Sequence, residues 1–105
     1  MDDDNRIRQG QRYRTLKDLK VLFLTQWSAP YTGGGEGILP AGSVFTIELD
    51  PPAHAMAASC RPENYAEVER RMVPEDERTS AKYGGFTLVI DLDVIRTQCQ
   101  LMESP

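Results

Sequence analysis

Polar and apolar residues alternate most cleanly in Val44-Phe-Thr-Ile-Glu-Leu49. Phe45, Ile47 and Leu49 share one side of an extended chain and Thr46 and Glu48 the other, so this segment predicts a strand with one buried face. Phe86-Thr-Leu-Val-Ile-Asp-Leu92 repeats the pattern, with Phe86, Leu88, Ile90 and Leu92 inward and Thr87, Val89 and Asp91 outward. Lys20 to Trp27 is a continuous apolar run rich in β-formers and predicts a third strand. Ala53 to Arg61 fits either a strand or a poor helix, and a short strand is the better reading. From Pro62 to about Val73 the period changes. Tyr65, Val68 and Met72 fall on one helical face, Pro62 suits the first helical position, and Pro74 stops the run. Asp93 is placed to cap a closing helix of Val94 to Met102, with Ile95, Cys99 and Met102 on one side.

Between the first two strands, four of the five positions 33–37 are glycine, which predicts a loop. Ile38-Leu-Pro-Ala-Gly-Ser43 reads as a type I turn with Pro40 second and Gly42 fourth. Short sequential strands without alternating long helices predict an α+β, mainly β, domain: a small antiparallel SH3-like barrel with two short helices. The barrel is a likeness of fold and implies no activity. With 105 residues there is room for about one domain. In residues 1–12 only Ile7 is available for burial, which predicts a disordered tail; residues 13–105 are expected to form the single domain.

Charge refines this picture. Sixteen acids face twelve bases, yet residues 5–20 carry Arg6, Arg8, Arg12, Arg14, Lys17 and Lys20 against Asp18 alone, a net of +5. Residues 21–105 carry a net of −6. The basic arm offers phosphate contacts, but the acidic body opposes nucleic-acid binding, and the arm could instead lie on that body. No apolar run approaches the ~18 residues of a membrane helix, and the first residues lack the apolar core of a secretory signal. Two cysteines, Cys60 and Cys99, and no Cys-x-x-Cys favour reduced thiols in a cytoplasmic protein.

Candidate chemistry is sparse. The glycine run is followed by Ile38-Leu39-Pro40 and a strand, whereas a phosphate loop needs Lys-Ser/Thr and a helix. His54 and Cys60 offer a conceivable imidazole–thiol pair, but nothing nearby supplies an oxyanion hole. Glu75-Asp76-Glu77 and Asp91/Asp93 suit a solvated surface and a helix cap. No metal or cofactor site is expected. The aromatic residues say more. Trp27 and Tyr31 precede the glycine run, Glu36 lies within it, and Tyr83 precedes Gly84-Gly85. Large aromatics beside permissive backbone are raw material for a binding patch.

The run Leu19 to Thr25, the Ile38-Leu-Pro-Ala-Gly42 turn, Pro62-Glu-Asn-Tyr65 and Lys82-Tyr-Gly-Gly-Phe86 together resemble a group of small single-domain bacterial proteins, over residues 13 to about 102. The resemblance implies a stand-alone domain and carries no catalytic motif. Three functions remain open. The first is a non-enzymatic module binding a protein partner through Trp27, Tyr31, Glu36 and Tyr83. The second is a nucleic-acid binder using the basic arm, and the third a small enzyme using Cys/His or carboxylates.

Overall fold

The computed structural model describes residues 6–25, 34–73 and 86–105. Within them lie seven strands and two helices: β1 (Arg12–Thr15), β2 (Leu19–Leu24), β3 (Gly34–Leu39), β4 (Val44–Ile47), β5 (Ala57–Pro62), α1 (Tyr65–Met72), β6 (Thr87–Asp91), α2 (Leu92–Gln98) and β7 (Cys99–Glu103). The strands form one antiparallel sheet in the order β3-β2-β6-β5-β4-β1-β7.

The alternation that identified β4 and β6 sets the core. Phe45, Ile47, Leu88 and Ile90 are each at most 2% exposed. The register places Ile47 opposite Cys60, Cys60 opposite Leu88, and Leu88 opposite Phe23, so one sheet face carries the buried side chains from β4 to β2. Val68 and Val73 at the α1 end and Leu92 and Ile95 from α2 are part of the same cluster. Tyr13 stacks on Phe45 at 5.9 Å.

The sheet is strongly curled. β6 and β7 are four strand spacings apart, about 19 Å on a flat sheet. Yet α2 links them with seven residues, a rise of about 10 Å. Curling does not become closure: β3 and β7 remain edges, so the SH3-like barrel is not supported and the fold is an open antiparallel sheet with two helices. Closure would pair β3 with β7, and no such pairing is present among the described residues; α1 packs over the core-side face of β3, with Met72 against Gly37.

Several local expectations change. The glycine run is strand rather than loop from Gly34 onward, because β2 offers it a full antiparallel partner from Leu19↔Leu39 to Leu24↔Gly34. In the turn, Ser43 N–H donates to the Pro40 carbonyl at 3.1 Å, so Pro40 is first and Gly42 third. Gly42 has φ +85° and Ala41 does not have positive φ, the pattern of a type II turn rather than type I. β4 ends at Ile47, leaving Leu49 exposed. Pro62 ends β5, and the helix begins at Tyr65.

At the other end, Asp91 holds the N-cap position of α2 without a side-chain cap bond, and Asp93 lies in the first turn. The helix stops at Gln98, because Cys99–Glu103 pairs with β1. Residues 6–11, assigned by composition to a tail, pack on the body. Ile7 is 3% exposed, Gly10 N–H donates to the Ile47 carbonyl, and Gln9 N–H donates to Asp50 Oδ1 at 2.7 Å. Gln11 is buried with its Oε1 accepting from Arg8 N–H and the Tyr13 hydroxyl.

Candidate functional site

β2 and β3 form a limb whose two faces differ. On the core side Leu19, Val21 and Phe23 are buried, and their partners on β3 are Leu39, Gly37 and Gly35. The glycines make room. A Cβ on Gly35 would stand 3.2 Å from Phe23 Cζ, and one on Gly37 would stand 2.6 Å from Met72 Cγ. Gly34 has φ +139°, and a side chain there would run into the Phe23 carbonyl oxygen. These positions are small because a ring and a thioether from neighbouring elements occupy the space.

On the opposite face lie Lys20, Leu22 and Leu24 from β2, Glu36 and Ile38 from β3, and Val89 from β6. Leu22 is 47% and Ile38 56% exposed, adjacent diagonally across the two strands. Glu36 is exposed, and its Oε1 is 3.7 Å from Lys20 Nζ. β3 is an edge strand. Among the described residues, the backbone of Gly35–Leu39 pairs with β2 alone. A groove of about 240 Å³ runs between this strand and α1, with Glu36, Ile38 and Pro40 on one wall and Val68, Arg71 and Met72 on the other.

A larger groove, about 560 Å³, lies between the N-terminal segment and α2. Arg6, Arg8 and Arg96 face Asp50, Asp91 and Asp93 there, so its formal charges balance. Asp93 is 3.4 Å from Arg96, and Asp50 holds the Gln9 amide. The balance selects no sign of ligand.

Of the four residues expected to bind, the structure places Glu36 on the β3 edge; Trp27, Tyr31 and Tyr83 lie outside the described residues, as do Glu75, Asp76 and Glu77. Sequence reasoning missed Leu22 and Ile38. A continuous apolar run hid the first and a presumed turn the second. His54 is exposed in a turn, while Cys60 is fully buried, its Sγ donating to the Ala58 carbonyl at 3.5 Å. Burial pushes the Cys60 thiol far above its ordinary range and Cys99 up to about 11. Both cysteines are free thiols, held protonated and shielded, a state opposite to that of an activated nucleophile.

The described part of the basic arm is partly committed to the body. Arg12 bridges Glu63 at 2.9 Å and Glu103 at 2.6 Å, and these bonds raise its pKa. Arg14 donates to Gln100 Oε1 at 3.0 Å. Among the described residues no cluster of three or more His, Cys, Asp or Glu could hold a metal ion, and no helix is long and apolar enough to cross a membrane. No family model matches the chain, and comparison with curated proteins and with solved structures gives no match.

Proposed function

We propose that the chain is a non-enzymatic protein-interaction module that accepts an extended strand of a partner along β3. The observation that carries this reading is the edge position of β3, with Gly35–Leu39 paired on one side alone among the described residues. An edge strand presents a row of N–H and C=O groups that a second strand can satisfy, and alternate side chains then supply specificity. Natural edges are commonly blunted by lysine, proline or a bulge. Within β3 the only charged residue is Glu36, and Pro40 comes after its last residue. Leu22 and Ile38 add exposed apolar surface next to that edge, and the groove against α1 leaves space beside it.

Selection of extended peptides from a displayed library against the full chain tests this function. Selected peptides should protect β3 amides from hydrogen exchange, and Ile38→Glu should weaken them by about tenfold or more, as loss of an apolar anchor does. A library that yields no binder, or binders that leave β3 unprotected, would remove the reading.

A further inference from the structure

Resting on that reading, we infer that the strand β3 accepts is β3 of a second copy of this chain, forming a two-fold homodimer in which two sheets continue as one. Antiparallel pairing of identical strands is self-complementary, because each donor meets an acceptor of the other copy about the axis. The axis stands normal to the sheet and keeps both core faces on one side. Directly opposed residues must then point to the same face, which requires the axis to pass through a residue position rather than between two.

Three such positions lie at the centre of the strand, and their chemistry differs. An axis at Glu36 opposes two carboxylates, which is destabilising. An axis at Ile38 sets Glu36 against the partner's Pro40, which has no N–H to give. An axis at Gly37 uses all of Gly35–Leu39 and opposes Ile38 to the partner's Glu36. It leaves no Cβ where the chains cross on the core side, and Met72, which lies against Gly37, meets its counterpart there.

The exposed face supports the same register. Leu22 lies diagonal to Ile38 within one chain. With the axis at Gly37, Ile38 lies diagonal to the partner's Ile38, which in turn lies diagonal to the partner's Leu22. The two exposed residues of one copy become a four-residue apolar stripe across the dimer. Diagonal neighbours stand ~7–8 Å apart, within reach of side chains of this length. Two side chains that are 47% and 56% exposed in the single chain thus gain cover from one operation.

Charge variants test both the dimer and its register. Within one chain position 38 faces Lys20, whereas across the axis it faces the partner's Glu36. Ile38→Glu therefore adds an attraction inside the chain and a repulsion between copies; Ile38→Lys does the reverse. Sedimentation equilibrium of the full chain, from about 1 µM to about 1 mM, should show wild type approaching twice 11.8 kDa. Ile38→Glu should raise the dimer dissociation constant at least about tenfold, with a melting curve showing that it is folded, and Ile38→Lys should keep the dimer.

A wild type that stays monomeric throughout overturns the inference, as does a dimer indifferent to Ile38→Glu, or one that Ile38→Lys dissociates as strongly as Ile38→Glu. A monomer that still binds selected peptides along β3 removes the second copy and leaves strand acceptance standing. A monomer that binds none removes both.

Discussion

The centre of the sheet and its β3 edge are held by different parts of the chain. In β4, β5 and β6 every strand has two neighbours, and the side chains that fill the core are large and alternate along the sequence. Phe45, Ile47, Leu88 and Ile90 pack with Cys60 beneath α2 residues such as Ile95. In β3 the core-side positions Gly35, exposed, and Gly37, half-buried, have no side chains, and the space above them belongs to Phe23 and Met72. The centre is specified by what its residues carry. The edge is specified by what its residues leave free: among the described residues the backbone of Gly35–Leu39 pairs with β2 alone, and Ile38 is exposed. A region built in that way contributes less to stability, which suits the recognition role proposed for it.

The sharpest way to break this comparison is to truncate the centre. Phe45→Ala removes a fully buried ring stacked on Tyr13 and should cost ~3–5 kcal/mol in a denaturant melt. Next comes the N-terminal segment, where Ile7→Ala should cost ~2 kcal/mol or more, because Ile7 is buried with the core rather than trailing in solvent. A loss within about 0.5 kcal/mol would return residues 6–11 to the tail that composition suggests. Gly37→Ala probes the edge from its inner face. The new methyl group displaces Met72, an overpacking cost of ~1–3 kcal/mol, moderated by the flexibility of the thioether. Smallest of all, Leu22→Ala in dilute protein should change stability by no more than about 0.5 kcal/mol, since surface substitutions seldom do more.

The buried thiols sharpen the same contrast through pH. Cys60 and Cys99 hold their protons in the folded chain to higher pH than in the unfolded chain. Above the ordinary thiol range the unfolded state releases protons that the folded state retains, so stability falls. The contribution is fully present below about pH 8.5, the ordinary cysteine value. It declines as pH rises from there through the Cys99 value of about 11. Melts across that window should show the decline, and Cys60→Ala should flatten it. An aromatic disulfide reagent should label neither thiol at neutral pH until the chain unfolds.

Legibility in the sequence followed the same divide. β4 and β6 were readable because alternation of Phe45, Ile47, Leu88 and Ile90 states both the element and its face. Thr87 shows the limit. Its position in the alternation points away from the core, yet it is fully buried, with its hydroxyl donating to the Glu48 carboxylate. β1 was readable in principle, since Arg12-Tyr-Arg-Thr15 alternates outward arginines with buried Tyr13 and Thr15; the density of charge drew attention to a tail. Ile95, Cys99 and Met102 keep helical spacing past Gln98, but pairing with β1 overrides that local preference.

β3 could not be read in this way. Gly-Gly-Glu-Gly has no hydrophobic period, and its strand is imposed by Leu19–Leu24 alongside. The same absence of side chains hid most of the candidate site. Glu36 was singled out by its place in the glycine run, but the exposure of Ile38 and Leu22 depends on register and on the edge position of β3, which arise only when the sheet is assembled.

Hydrogen exchange in dilute protein, read amide by amide, tests the central claim most directly. In β3 the amides of Gly35–Leu39 that point away from β2 should exchange nearly as fast as unstructured backbone. Those pointing toward β2, and those of Phe45 to Ile47, should be protected. Raising the protein concentration into the range of association should then protect the outward set. Outward β3 amides already protected in dilute monomer would show that the edge is covered, and would contradict the account.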